Sequence, residues 1–309
     1  MVTFSQPILL LGFNRPNETM KILNRIGLVK PTKLYFACDG PRLNNEEDNE
    51  LCAEVRSIVN KVDWDCEINT LFRQDNLGCK KAISQAIDWF FKHEEKGIII
   101  EDDCLVDISF FHYCDELLEL YSNDDRIMCI SGCNFVSNLI KIDSSYYFSN
   151  YPLIWGWATW KRAWKHYNVN LDYQSDNSLK VFLKNLKYLD FIDRLYWFQL
   201  FSKVKSNNID TWDYQWVYAI WKNKGLTCIP NKNLVSNIGF SKESFNTKDV
   251  NSNLSNMDIS GIELPLIKPD QFLANCSADN IHSNKILIRK YKTKYLFYLR
   301  LIIFSIFNK

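Results

Sequence analysis

Three consecutive carboxylates, Glu101-Asp102-Asp103, follow the short apolar run Gly97 to Ile100. Three adjacent negative charges repel one another, and a fold gains nothing from them unless a cation compensates. Mg²⁺ and Mn²⁺ take oxygen ligands, often one or two carboxylates together with substrate phosphates. The triplet therefore suits a divalent cation and a phosphorylated substrate, the cation offsetting charge that develops on a leaving phosphate. The plainer account is a solvated acidic loop in which Asp103 or a neighbour caps the next helix. The four histidines (His93, His112, His166, His282) fit no zinc motif, and no CxxC spacing occurs.

The elements around the triplet say where it must stand. Pro7 to Phe13, Lys33 to Cys38, Glu67 to Arg73, Gly97 to Ile100 and Ile127 to Ser131 read as strands. Helices are expected between them, over 18–28 with Asn17 or Thr19 as cap, over 46–61, over Gly78 to His93 with an apolar stripe, and over Ser109 to Tyr121. This alternation predicts an α/β sandwich with a mostly parallel sheet. Ligands of such sheets bind outside the carboxyl ends of the strands, and the triplet sits at one. Beyond residue 145 the texture changes: aromatics crowd between Tyr146 and Trp164, helices are expected over 178–205 and 212–222, and Leu226 to Pro230 reads as a short strand. Residues 241–284 are rich in Asn and Ser and read as loops.

Composition narrows the class. The 309 residues carry a net charge of +1, so no global field points to nucleic acid. Residues 285–309 hold seven Lys/Arg and no acid, a basic appendage on a mildly acidic body. Their mixture with Tyr, Phe, Leu and Ile is too short for a membrane span and suits a helix lying on an anionic surface. Ten scattered cysteines and no leader-like N-terminus point to free thiols in a reducing, cytoplasmic setting, with the tail at the inner face of the cytoplasmic membrane.

PILLLGFNRPNET, KLYFACDGPR, RQDNLGCKKAISQAIDWFF, GIIIEDDCLVDISFF, LIWGWATWKRAW and WDYQWVYAIWKNKGLTCIP occur in this order. Together they resemble bacterial GT-A glycosyltransferases of the nucleotide-diphospho-sugar transferase superfamily related to N-acetylglucosaminyltransferase I, over roughly residues 5–240. The resemblance implies a GT-A fold, Rossmann-like, with a C-terminal helical extension. Residues 1–135 would form the nucleotide-sugar half and 136–240 the acceptor half, followed by the polar loop region 241–284 and a basic-aromatic helix over 285–309. It implies an inverting, metal-dependent transfer of GlcNAc or another hexose from a UDP-sugar to a glycan or lipid-linked glycan, in bacterial surface polysaccharide synthesis. Arg15 would reach the nucleotide, Asp39 the uracil, and Arg73 and Lys80 would line the nucleotide pocket. Asp103 would ligate Mn²⁺ or Mg²⁺, Asp102 contact ribose and Glu101 the donor sugar. Asp213 would be the general base. Trp155, Gly156, Trp157 and Trp212 would form the sugar-binding wall. In one place the chain departs from the family pattern: no histidine follows Gly239 in the stretch to Thr247.

Each assignment has a bland counterpart. Asp-Gly-Pro forms turns regardless of function, an acid in a first helical turn needs none, and tryptophan is mostly buried. Lys80 at a helix start runs against the helix dipole, which favours a functional reason. Two other classes use similar parts. A nucleotidyltransferase would place a Gly-rich basic first loop on its triphosphate, whereas Gly12 to Thr19 holds one glycine and one arginine. A non-catalytic carbohydrate-binding protein would need the aromatics and leave the acidic triplet idle.

Overall fold

The computed structural model describes residues 4–240 and 254–287. The five expected strands form: β1 (Ile8–Gly12), β2 (Lys33–Cys38), β3 (Glu67–Phe72), β4 (Lys96–Glu101) and, after a short β5 (Cys104–Val106), β6 (Ile127–Ser131). β7 (Tyr146–Ser149), β8 (Trp157–Trp160) and β10 (Val235–Asn237) come from segments the hydrophobic pattern left open, whereas β9 (Leu226–Pro230) forms with the bounds expected as a sixth strand. Eight strands share one sheet in the order β3-β2-β1-β4-β8-β6-β9-β7. β3, β2, β1 and β4 run parallel, β6 and β9 are parallel to each other, and β8 and β7 are antiparallel to their neighbours. β5 and β10 make a separate antiparallel ribbon. The protein is thus α/β, with a mostly parallel central sheet flanked by helices.

Helices cover both faces because the strands are apolar on both. On one side α1 (Pro16–Gly27), α2 (Glu46–Ser57) and, after α3, α4 (Ile108–Leu120) pack on Ile8, Leu10, Ile98 and Ile100. On the other, α3 (Gly78–His93) packs on Leu9, Leu11 and Ile99. The C-terminal helices share that second face: the short α5 (Lys161–Trp164), α6 (Asp176–Asn185), α7 (Phe191–Lys205) and α8 (Asp213–Lys222).

Several boundaries differ from expectation for local reasons. α1 starts at Pro16, with Arg15 as its N-cap and no side-chain cap, so neither Asn17 nor Thr19 caps it. A proline at the first helical position is preset for helix and lacks only an N–H that would go unpaired there. The stretch 178–205 is two helices, because Ser175 and Asp190 each form a capping box at a separate start. The predicted helix over 46–61 turns to 3₁₀ geometry after Ser57. The segment expected as loops closes with α9 (Cys276–His282), anchored where buried Asp279 accepts hydrogen bonds from the Ser149 hydroxyl and the Asn150 amides. The C-terminal helix expected over 285–309 lies outside the described residues from 288 onward.

Candidate functional site

The strand order decides where a ligand fits. The connections leave β1 towards β2 on one side and reach β4 on the other, so a crevice opens between the carboxyl ends of β1 and β4. The loop after β1 carries Arg15 and the end of β4 carries Glu101-Asp102-Asp103. The Arg15 guanidinium meets Asp103 Oδ2 at 2.6 Å and Asp102 Oδ1 at 3.3 Å. The Phe13 backbone N–H donates to Asp102 Oδ2 at 3.1 Å. Asp102 and Asp103 are almost fully buried.

The triplet does not cap a helix. The chain runs from it into β5, and Asp107 caps α4 by accepting from the Ser109 N–H at 2.9 Å. Asp103 is instead held by the ribbon. Its carbonyl accepts from Ile238 N–H at 2.8 Å, and its Oδ1 accepts from the Asn237 side-chain amide at 3.3 Å. Gly239 passes so close that an added β-carbon would stand 2.3 Å from Asp103 Oδ2.

One arginine faces three acids, and the electrostatics follow. Burial pushes the Glu101 carboxyl well above the usual carboxylate range, and Asp103, Asp102 and then Asp213 push it further. Asp102 is also raised by burial, against the pull of Arg15. For Arg15, burial opposes the charged form, but Asp102 and Asp103 outweigh it and the guanidinium pKa rises. The site thus holds more carboxyl groups than one guanidinium can pair, in a desolvated place where a divalent cation would favour their ionised forms. Among the described residues no group of three or more His, Cys, Asp or Glu side chains forms a ready-made metal cage.

Asp213, the first residue of α8, reaches the same place from the other half of the chain, near enough for its charge to act on Glu101. It is half-buried, and burial raises its pKa, while the Thr211 hydroxyl donates to its Oδ1. Its charge also bears on Tyr167, Tyr196 and Tyr214. A carboxylate in aromatic surroundings with a raised pKa is suited to accept a proton near neutral pH.

The remaining predicted residues fall into two groups. Asp39, after β2, is mostly buried, and both of its oxygens lie 3.1 Å from the Leu77 N–H that they accept from. Burial raises its pKa; the backbone N–H groups of the 76–78 turn and Arg73 act against this. Lys80, one turn into α3, is buried, and its ammonium donates to Asn207 Oδ1 at 2.9 Å. Arg73 follows β3, its N–H donating to the Cys38 carbonyl beside Asp39, and its own carbonyl accepts from Arg56. The tryptophans separate. Trp157 and Trp212 are core residues, 0% and 2% exposed, stacked on each other at 5.6 Å. Trp155 is half-exposed and packs edge-on against Phe135 and Phe240. Gly156 has φ +58, and a β-carbon there would lie 2.8 Å from Val235, so its close approach is to β10.

Three contributors were not picked out in the sequence, the Phe13 N–H, Asn237 and Thr211, and Gly239 was marked only as the place where the family's histidine is missing. Asn237 lies 134 positions from its partner Asp103. Asn-Ile-Gly after a short strand was its only local mark.

No family model matches the chain, and no curated protein matches it. Among the solved structures that align in part, three serve as examples. The first is HddC from Yersinia pseudotuberculosis (10% identity, TM-score 0.33, 51% of this chain and 77% of the other). The second is 4-diphosphocytidyl-2C-methyl-D-erythritol synthase from Anaerococcus prevotii (9%, 0.36, 58% and 82%). The third is UDP-glucose pyrophosphorylase complexed with UDP-glucose (10%, 0.26, 47% and 62%). Likeness this distant carries no chemistry.

Proposed function

We propose that the protein is a metal-dependent glycosyltransferase that moves a sugar from a nucleotide-sugar, UDP in the reading the family resemblance gives, to a glycan hydroxyl. The observation that carries it is the Arg15-bound acidic triplet at the end of β4, with Asp213 at the start of α8 near enough for its charge to act on Glu101. A binding module needs no buried like-charge cluster, and a nucleotidyltransferase needs no second, separate base.

In this reading Arg15, Asp39 and Arg73 receive the nucleotide, and Asp102 and Glu101 orient ribose and donor sugar through their hydroxyls. Asp103 holds Mn²⁺ or Mg²⁺, which when bound offsets charge on the departing diphosphate. Asp213 takes the proton of the acceptor hydroxyl as the oxygen bonds to the anomeric carbon. The carbon–oxygen bond to the β-phosphate breaks, UDP leaves with the electron pair, and attack opposite the leaving group inverts the centre. Of the proposed sugar wall, Trp155 is the partly exposed ring; Trp157 and Trp212 are stacked in the core and cannot stack on a sugar.

The test is UDP release from a panel of UDP-sugars, with Mn²⁺ and with EDTA, for wild type, Asp103→Ala and Asp213→Asn. Slow metal-dependent hydrolysis of one donor, lost in Asp103→Ala, supports the reading. Asp213→Asn should bind donor normally and lose about 10²–10⁴-fold in transfer. Wild type that binds no nucleotide under any condition refutes it, and pyrophosphate exchange with a nucleoside triphosphate would favour a nucleotidyltransferase.

A further inference from the structure

A cleft of about 900 Å³ lies between the N-terminal half of α3 and the loops around 167–170 and 207–210. This volume falls at the upper end for small-molecule sites, and of the residues given to the nucleotide by resemblance only Lys80 lines it. Its wall is built for hydroxyls. Gln85, Asn170 and Asn207 present side-chain amides, each a donor and an acceptor. The charged groups on the wall, two lysines and two aspartates, cancel, so the cleft attracts neither a polyanion nor an anionic membrane. Lys80 is fixed on Asn207, which holds one wall in place.

The cleft is tied to the proposed base at two points. Asp210 lines it and lies three positions before Asp213. Tyr167 also lines it, and its hydroxyl donates to the Trp212 carbonyl at 3.1 Å, at the residue preceding Asp213. Asp210 in turn packs against Gly78, where a β-carbon would stand 2.8 Å from the Asp210 carboxylate. Tyr167 thus stands between the cleft and the start of α8, close enough to Asp213 for that carboxylate's charge to bear on its hydroxyl.

We propose that this cleft binds the acceptor, a neutral oligosaccharide whose terminal hydroxyl is presented to Asp213. The proposal rests on the transferase reading for the identity of the reaction, but sugar binding in the cleft can be measured without turnover. Gln85 and Asn170 are exposed on the rim, so Gln85→Trp and Asn170→Trp block the cleft without disturbing the core. Saturation-transfer NMR with chitotriose, cellotriose and N-acetyllactosamine should show binding of at least one to wild type. In both variants that signal should fall about tenfold, with Mn²⁺-dependent UDP affinity held within about twofold. If no trisaccharide binds wild type, or binding survives both substitutions, the proposal is wrong. If the variants lose UDP, the cleft holds the nucleotide and the proposal is equally wrong. Should wild type bind trisaccharide through the cleft but no UDP, the cleft assignment stands and the donor reading falls.

Discussion

Gly239→Ala probes the acidic site at its tightest point. The new β-carbon would stand 2.3 Å from Asp103 Oδ2 and 2.8 Å from the Arg15 guanidinium. The backbone cannot easily retreat, because Gly239 N–H donates to Asn237 Oδ1 at 2.9 Å and Ile238 N–H to the Asp103 carbonyl at 2.8 Å. Ordinary non-bonded contact begins near about 3.5 Å, so the carboxylate must withdraw by roughly 1 Å. A displacement of that size at a positioned group costs on the order of 10²-fold. Disturbing the support of a ligating side chain costs about 10–100-fold in metal affinity. Mn²⁺-dependent UDP affinity should therefore fall about 10–100-fold, or about 1.4–2.8 kcal/mol. Folding should suffer less, about 1 kcal/mol, because the displaced guanidinium can turn to water; the Arg15 side chain is already 28% exposed. Calorimetric titration of UDP with and without Mn²⁺, beside thermal unfolding, separates the two effects. Gly261→Ala is the control, since its nearest neighbour would lie at 3.3 Å, outside the triplet. UDP affinity within about twofold of wild type in Gly239→Ala would show that Asp103 is not where metal and diphosphate bind.

Three further outcomes follow from buried polar groups. Burial pushes His282 down from 6.5 to about 4. The unfolded chain therefore takes up this proton first: its contribution to stability is complete above pH 6.5 and is lost as pH falls towards 4, by about 3 kcal/mol. Urea unfolding across that window should show the slope, and His282→Leu should flatten it. Asp279→Ala leaves the Ser149 hydroxyl and the Asn150 amides without their acceptor; a loss of about 2–4 kcal/mol is expected, with UDP binding intact because none of these groups belongs to the acidic site. Asp39→Asn should weaken UDP about tenfold and spare Mn²⁺-dependent pyrophosphate binding, as a charge-assisted contact to the base predicts; equal losses for both ligands would move Asp39 from base recognition to the turn it braces.

The parallel half of the fold was legible because its strands are buried on both faces and read as continuous apolar runs, as ILLLG in β1 and KGIIIE in β4. The half beyond residue 145 was not. In β8, Trp157 turns to one face of the sheet and Ala158 and Trp160 to the other. A run of aromatics with no polar alternation looks the same in a strand, a loop or a helix. The break at Leu186–Asp190 hid for a different reason: hydrophobic period alone continued through it, and two capping boxes overrode it. For the site, chain-local marks placed the triplet at a strand end. They could not show that Arg15 spans to it, that Asn237 supports it, or that two of the four proposed wall residues are core tryptophans.

The triplet's geometry explains why the site needs the whole sheet. Glu101 pairs with Leu11 in register and shares its face with Ile99, the face that carries Trp212 and Trp216. It is therefore directed towards α8 and Asp213, while Asp102 accepts from the Phe13 N–H and Arg15. Asp102 and Asp103 lie in the turn after β4, where Arg15 reaches both, and their charges still act on Glu101. Arg15 comes from before β2, Asn237 from after β9, and Asp213 from α8. Only the folded sheet gathers them at the β1–β4 crevice, where Arg15 offsets Asp102 and Asp103 while Asp213 adds to the negative charge that disfavours ionised Glu101.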